Sequence, residues 1–174
     1  MKLSEVKAGK SFKIGETEFI KFCGDEKVTV VVAKDIAFKS TYGENNNLSE
    51  SKILERLNTE FLPQIEKEIG AENILEFETD LTSLDGLKTY GTMKSRIGIP
   101  TFDFYRNNVE IFDMYKLDTW WWLATPDTTK EHYNDRWNVC VSPIGHFSID
   151  IYYFIIGVRP FLNFVSSISV SCED

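Results

Sequence analysis

Over residues 10–34, apolar and polar positions alternate in short segments with a period of two, which is typical of β-strands. Turn residues at Gly15-Glu16 and at Gly24-Asp25 divide this stretch into three short segments. The last of them, residues 28–32, is rich in β-branched side chains, which favour strands. The pattern predicts a β-meander over residues 10–34.

From Asn47 onwards the apolar period becomes that of a helix. Asn47 and Glu50 have the spacing of a capping box, and Gly70 is suited to the end of the helix. Pro63 lies within the pattern and is expected to kink the helix or divide it in two. The apolar stripe consists of Ile53, Leu54, Leu57, Phe61, Leu62, Ile65 and Ile69. We therefore predict an acidic helical segment over residues 47–70 with one buried face.

Residues 93–170 contain most of the aromatic side chains and are predicted to form short antiparallel strands. Turn residues separate the expected strands at 93–99, 120–124, 137–141, 147–150 and 157–164, and a short helix is expected from Thr101 to Asn107. Strands followed by helices and then by further strands indicate one α+β domain covering residues 1–174.

The net charge of −8 comes from one part of the chain. Residues 44–85 contain 11 acidic and three basic side chains, and the remainder is balanced. Such a segment repels phosphate, which argues against direct binding of nucleic acid. Two interpretations remain open: a solvated helix face, or a surface that docks a basic protein in the place of nucleic acid.

The composition is that of an ordinary globular protein, with 43% hydrophobic and 26% charged residues. No apolar run reaches the ~18 residues of a membrane span. The first ten residues lack the apolar centre of a signal peptide. The three cysteines are few and widely spaced, as is typical of reduced thiols. We therefore expect a cytoplasmic protein that does not bind a membrane.

No motif of a known catalytic site is present, whether a P-loop, GxSxG, GxGxxG or HExxH. His132 with Glu131 and Asp135 supplies too few strong ligands at a fixed spacing for a metal ion. A nucleophile built from Cys140 and His146 is disfavoured because Cys140 lies between two valines in a predicted strand. We predict no catalytic residues, no metal, no cofactor and no enzymatic activity.

The strongest local signal is a run of three tryptophans followed about 35 residues later by Gly-Val-Arg-Pro. In a strand, Trp121 must face away from Trp120 and Trp122, so the three rings either all pack in the core or leave one face to line a groove. Arg159 in so apolar a context needs carbonyl or carboxylate partners, and Pro160 marks an edge, a bulge or a strand entry. Structural roles are predicted for Trp120, Trp121, Trp122, Pro126, Gly157, Arg159 and Pro160.

The paired motifs WWLATP and GVRPF, with LTSLDGL and IPTFDFYR before them, resemble an uncharacterised domain family common in gut Firmicutes and their phages and mobile elements. The resemblance covers nearly the whole chain, including GKSFKIGETEFI near the start. The later pattern is similar to C-type-lectin-like domains and relatives of the formylglycine-generating enzyme. The resemblance implies an α+β fold with a terminal hairpin, two helices and short antiparallel strands. It implies no enzymatic activity, and the calcium motifs EPN and QPD are absent.

In those folds the segment between the tryptophan strand and the final strand displays the ligand surface, which corresponds here to residues 127–156. This segment mixes aromatic anchors with adaptable polar groups, as binding surfaces do. From His146 to Tyr152, polar or amphipathic residues alternate with Phe147, Ile149 and Ile151, a pattern that a solvated sheet face also produces. The candidate binding residues are Asp127, His132, Tyr133, Asp135, Arg136, His146, Asp150, Tyr152 and Tyr153.

We therefore expect a binding module of a bacterium, phage or mobile element that presents residues 127–156 to an unidentified protein or other macromolecule. The expectation requires the tryptophan strand and the Gly-Val-Arg-Pro strand to lie side by side. The alternative is a phage or mobile-element inhibitor that docks a basic, nucleic-acid-binding host protein through residues 44–85.

Overall fold

A computed structural model describes residues 1–172, and the last two residues of the predicted 1–174 domain lie outside it. Within the described residues the chain forms twelve strands and four α-helices. The strands are β1 (Ser11–Ile14), β2 (Thr17–Gly24), β3 (Val28–Ala33), β4 (Phe38–Ser40), β5 (Ile74–Leu75), β6 (Phe77–Asp80), β7 (Thr92–Ser95), β8 (Trp121–Pro126), β9 (Trp137–Val141), β10 (Phe147–Ile151), β11 (Ile156–Val158) and β12 (Phe161–Val165). The helices are α1 (Lys52–Arg56), α2 (Leu62–Ile69), α3 (Phe102–Asn107) and α4 (Val109–Met114).

The strands assemble into two five-stranded sheets and one hairpin. The first sheet has the order β1-β2-β3-β12-β5, the second has the order β10-β9-β8-β11-β4, and β6 pairs with β7. Strands 1 to 3 are successive antiparallel neighbours, so the predicted β-meander over residues 10–34 is confirmed. The fold is mixed α+β and consists mostly of strands.

The acidic helical segment forms as predicted but begins differently. Asn47 caps only a 3₁₀ turn over Leu48–Glu50, and the hydroxyl of Ser51 accepts from Leu54 N–H at 3.0 Å to cap α1. The expected capping box of Asn47 and Glu50 is wrong, because the Glu50 carboxylate bonds instead to the amide of Asn45.

Pro63 divides this helical segment in two without ending it. A π-helical turn over Leu57–Phe61 joins α1 to α2, and Pro63 is in the first turn of α2. Proline has no N–H to donate to the preceding turn, and the wider turn accommodates that missing bond. The segment ends at Gly70, whose φ of +83° is a conformation that glycine adopts without strain.

Two expectations for the second half of the chain are wrong. The expected strand over residues 157–164 is two strands in different sheets, β11 in the second and β12 in the first, with Arg159 and Pro160 between them. The strands are also not all antiparallel, because β11 runs parallel to β8, with Gly157 beside Trp121. The strand expected over residues 93–99 ends at Ser95, and α4 was not anticipated.

Two clusters of buried side chains form the core, and the tryptophans divide between them. Trp121 packs with Phe112 of α4 and Val32 of β3, whereas Trp122 belongs to the larger cluster that covers the apolar stripe of α1 and α2. Both faces of β8 are therefore buried. Trp120 precedes the strand and is 39% exposed, so the alternative in which all three rings pack in the core is wrong.

Candidate binding surface

The tryptophan strand and the Gly-Val-Arg-Pro strand are hydrogen-bonded neighbours. Gly157 N–H donates to the Trp120 carbonyl at 2.8 Å where β11 runs beside β8. A Cβ atom on Gly157 would lie 2.6 Å from the Cγ2 atom of Ile36 and 2.9 Å from that same carbonyl oxygen. These distances are shorter than van der Waals contact, so the close approach of the two strands requires glycine.

Arg159 fastens the junction between the two sheets from inside the protein. Its side chain is 1% exposed and donates to the carbonyls of Ala33 and Lys34, both at 2.8 Å, and to that of Tyr115 at 3.2 Å. The guanidinium carbon lies 5.1 Å from the ring centre of Trp121. Burial lowers the pKa of Arg159 to about 10, so the group remains charged at neutral pH.

The segment that joins β8 to β11 is built around the β9–β10 hairpin. At one end a tight turn is closed by Ser142 N–H, which donates to the His146 carbonyl at 2.8 Å. At the other end Tyr152 N–H donates to the Arg136 carbonyl at 2.9 Å. This second bond places Arg136, the last residue before β9, beside Tyr152.

His146 is the one predicted binding residue that the hairpin separates from the others. It belongs to the turn end, whereas the remaining eight lie at or near the opposite end. A strand rises about 3.4 Å per residue, so the six positions from His146 to Tyr152 correspond to roughly 20 Å. The candidate residues therefore do not form one contiguous patch.

At the first four residues of β10, the apolar side chains are more exposed than the polar ones, which is the reverse of what the alternation suggests; only Ile151 is buried as expected. Phe147 and Ile149 are 39% and 41% exposed, whereas Ser148 and Asp150 are half-buried and face Cys140 and Asn138 across the ladder. Burial raises the pKa of Asp150 above its ordinary value. The strand is last in its sheet, and its position at the edge leaves apolar side chains in solvent.

A cluster of hydrogen bonds centred on Asp85 holds the start of the joining segment. The carboxylate accepts from the hydroxyl of Thr128 at 2.5 Å, lies 2.6 Å from Nδ1 of His132, and accepts from the hydroxyl of Ser83. Burial disfavours the charged form, but these three hydrogen bonds outweigh it and hold the pKa of Asp85 well below its usual range. Leu84 N–H also donates to the Pro126 carbonyl at 3.0 Å.

This cluster lines a shallow depression of about 380 Å³. Asp127 is half-buried beside it, and burial followed by repulsion from Asp85 raises the pKa of Asp127. Asp85 thus retains its negative charge more readily than a free aspartate does, and the neighbouring Asp127 takes up a proton more readily. The lining residues are Leu84, Asp85, Asp127, Thr128, His132 and Tyr133.

The acidic and histidine side chains of the loop are each held by a different partner. Asp135 pairs with Lys130 at 3.2 Å, and the Glu131 carboxylate accepts from Thr89 at 3.0 Å. His132, as described, pairs with Asp85. Among residues 1–172 no three His, Cys, Asp or Glu side chains are grouped so that they could hold a metal ion.

Aromatic and aliphatic side chains at the Tyr152 end of the β9–β10 hairpin project into solvent. Tyr133 is 78% exposed and Ile155 is 67% exposed. The ring of Tyr153 lies 5.3 Å from that of Phe154 and 5.7 Å from that of Tyr152, so successive rings form one ridge. Tyr152 itself is half-buried and packs against the larger core cluster, which anchors the ridge.

The thiol of Cys140 faces the core. It is fully buried, and burial followed by the nearby charge of Asp150 raises the pKa of Cys140 to about 12. At neutral pH the side chain is therefore a thiol, the form that is a poor nucleophile.

Residues 44–85 do not present their charge as one uninterrupted face. The segment includes the α1–α2 helical segment, β5 and β6, and ends at the hydrogen-bonded cluster around Asp85. Three of its carboxylates are in ion pairs, at distances of 2.6 to 2.9 Å. The pairs are Arg56–Glu60, Arg96–Glu66 and His132–Asp85.

A groove of about 560 Å³ between β6, α3 and β12 was not expected from the sequence. The ring of Phe161 in this groove lies 5.0 Å from that of Phe77 and 5.1 Å from that of Phe104. Leu84 lines both the groove and the depression around Asp85, so the two are adjacent. The aromatic residues come from three distant parts of the chain, and no local pattern connects them.

Comparison with models of known protein families, with curated proteins and with solved structures finds no match for this chain. The longest α-helix of residues 1–172 is α2, with eight residues, and none is long and apolar enough to cross a bilayer. The fold and the site therefore define an α+β protein with an aromatic surface on the segment between β8 and β11.

Proposed function

We propose that this protein is a non-enzymatic binding module that presents residues 127–156 to another macromolecule. One observation carries the proposal. Of the twelve large hydrophobic side chains that are exposed in residues 1–172, seven lie in this segment. Large aromatic and aliphatic side chains exposed together are typical of protein interaction sites. The seven are Tyr133, Ile144, Phe147, Ile149, Tyr153, Phe154 and Ile155.

The rigidity of the surrounding structure supports the same function. Gly157 and Arg159 lock the two strands from which the segment emerges, and Asp85 ties its first loop to the Ser83–Leu87 turn. A segment held at both ends loses less conformational entropy on binding than a free loop does. The exposed rings then provide contact area on a preformed scaffold.

We also propose that the architecture is C-type-lectin-like and that the chain belongs to the Firmicutes and phage domain family that its motifs resemble. The pairing of β8 with β11, with a long excursion between them, supports the proposal. The protein is then cytoplasmic, binds neither a membrane nor nucleic acid directly, and contains no cofactor. Its partner is a protein or another macromolecule.

The test is capture of partners from a lysate of the source organism, followed by affinity measurement with the purified partner. Substituting Tyr133→Ser together with Tyr153→Ser should weaken binding at least tenfold, because two exposed aromatic anchors are lost. Met114→Ser, which changes an exposed apolar residue of α4, should leave the affinity unchanged. Equal affinity of the double variant and the wild type rejects the proposal.

The second candidate is an inhibitor that docks a basic host protein through residues 44–85. The excess of eight negative charges in this segment supports it. Salt separates the two candidates, since an electrostatic contact weakens steeply as ionic strength rises and an aromatic contact weakens only slightly. Charge reversal at Glu68 and Glu72, which are exposed, should abolish binding of such a partner, and unchanged binding rejects this candidate.

A further inference from the structure

One outer edge of the second sheet is open. In an antiparallel pair, the backbone groups of alternate residues point toward the partner strand and away from it. The two bonds that close the β9–β10 hairpin, at Ser142–His146 and at Arg136–Tyr152, set this alternation. The backbone N–H and carbonyl groups of residues 148 and 150 thus point toward β9. Those of residues 147, 149 and 151 point outward, away from the sheet.

Only the last of the three outward positions has partners. Ile151 N–H donates to the Asp150 carboxylate at 2.8 Å, and the Ile151 carbonyl accepts from Phe154 N–H at 3.0 Å. The outward backbone groups of Phe147 and Ile149 have no hydrogen-bond partner among residues 1–172, and β10 ends its sheet there.

Each of the other outer edges of the two five-stranded sheets has a backbone group with a partner from outside its sheet. On β1, Lys13 N–H donates to the Ser171 carbonyl at 2.7 Å. On β4, the guanidinium of Arg56 donates to the carbonyl of the central residue at 3.0 Å. On β5, the guanidinium of Arg96 lies 3.5 Å from the carbonyl of the first residue. These three edges are thus partly covered, whereas two of the three outward positions of β10 have no partner among residues 1–172.

The open edge also lacks the features by which proteins usually protect such strands. β10 contains no lysine, no proline and no bulge, and it exposes Phe147 and Ile149. Asp150 is the one charged residue of β10. Its carboxylate bonds to Ile151 N–H and leaves the backbone groups of Phe147 and Ile149 uncovered. An unpaired apolar strand of this kind is the template to which another extended chain adds.

We infer that β10 binds an extended segment of a partner protein as a sixth strand of the second sheet, through the backbone groups of Phe147 and Ile149. The inference rests on the proposed function, since it specifies how residues 127–156 recognise their partner. Backbone hydrogen bonds supply affinity in this mode, and alternate side chains supply specificity.

The neighbouring side chains define the chemistry of that segment. Cross-strand pairs share a face, so apolar residues fit opposite Phe147 and Ile149, and polar or cationic residues fit beside Ser148 and Asp150. The partner is therefore a chain that alternates apolar and polar residues and places a basic residue beside Asp150. A second copy of this protein is disfavoured at this edge, because its own β10 offers serine and aspartate and no basic residue.

The experiment selects binders from a random nine-residue peptide library on the full-length chain and then measures the affinity of one synthetic selected peptide. Selected peptides should alternate apolar and polar residues and carry a basic residue at one of the polar positions. Substituting Ile149→Pro removes an outward N–H and leaves the β9 ladder intact, so affinity should fall at least tenfold. Ile149→Val keeps both the N–H and the apolar side chain, and its affinity should stay within twofold.

Amide hydrogen exchange in the wild type gives a second measurement that does not depend on how the proline variant folds. The amides of Phe147 and Ile149 should exchange rapidly in the free protein and at least tenfold more slowly with the peptide bound. If no peptide is enriched, or if exchange at these two amides is unchanged by the peptide, the inference is wrong.

Two further outcomes separate this inference from the proposed function. A selected peptide that loses affinity in the Tyr133 and Tyr153 double variant but binds Ile149→Pro normally overturns the strand addition and supports the proposed function. A dimer in light scattering that Ile149→Pro dissociates overturns the partner segment in favour of a second copy.

Discussion

Nδ1 of His132 lies 2.6 Å from Oδ2 of Asp85, although the two residues are 47 positions apart in the chain. This contact joins the end of the acidic segment to the first loop of the candidate binding surface. The Asp85 carboxylate is therefore occupied by hydrogen bonds to that loop and is not available to a docking partner. Charge-reversal experiments on the acidic segment should leave Asp85 intact for this reason.

Substituting Asp85→Asn should destabilise the protein at neutral pH by about 1 kcal/mol or less, because three hydrogen bonds lose their charged acceptor but the cluster is open to solvent. The pKa of Asp85 is lower in the folded protein than in the unfolded chain, so its contribution to stability is fully present above about pH 4. That contribution decreases as the pH falls below this value toward the folded pKa. Urea unfolding of wild type and variant at pH 7 and pH 3 measures the difference.

The control for this prediction is Glu26→Gln, which changes an exposed carboxylate. The free-energy difference between wild type and Asp85→Asn should be smaller at pH 3 than at pH 7. A difference that stays constant, or that increases in acid, contradicts the account of Asp85.

Substituting Arg159→Ala should cost about 3–5 kcal/mol in the free energy of unfolding, because three carbonyls lose a donor that is itself buried. Arg159→Lys should recover part of the loss, since an ammonium group reaches fewer carbonyls and does not stack on Trp121. Chemical denaturation with tryptophan fluorescence measures both. Arg106→Ala, which removes an exposed arginine, should change stability by less than about 1 kcal/mol. An equally small effect at Arg159 would contradict its structural role.

Substituting Gly157→Ala should destabilise the protein by about 2 kcal/mol or more, since the new methyl group overlaps Ile36 and the Trp120 carbonyl. Gly91→Ala is the matched comparison. Its φ of +60° strains an alanine, but nothing lies within 4 Å of the added Cβ, so about 1 kcal/mol is expected. Thermal or urea unfolding of the two variants measures the contrast. If Gly91→Ala proved the more damaging, the close approach of β8 and β11 would not be the reason for the glycine.

Elements that depend on local periodicity were predictable. The meander and the apolar stripe of the acidic helical segment follow from residue spacing, because such patterns place side chains on one face whatever the rest of the chain does. The end of that segment at Gly70 was equally evident, since a positive φ favours glycine. These features required no knowledge of distant contacts.

Elements that depend on distant neighbours were not predictable. Residues 157–164 have the composition of one strand, and their division between two sheets depends on carbonyls that Arg159 meets more than 100 positions away. The cap of α1 was misplaced by four residues because Asn47 and Ser51 both suit that position. β4 to β6 are too short for a periodic signal.

The sequence by itself determined the α+β class, the buried helical stripe and the segment in which aromatic and polar residues alternate, since these follow from the order of residue types. The tertiary structure decided which of those side chains reach solvent. It placed β10 at the end of its sheet, so Phe147 and Ile149 became exposed and Ser148 and Asp150 half-buried. An edge exists only when strands assemble, and no local pattern specifies which strand lacks a neighbour.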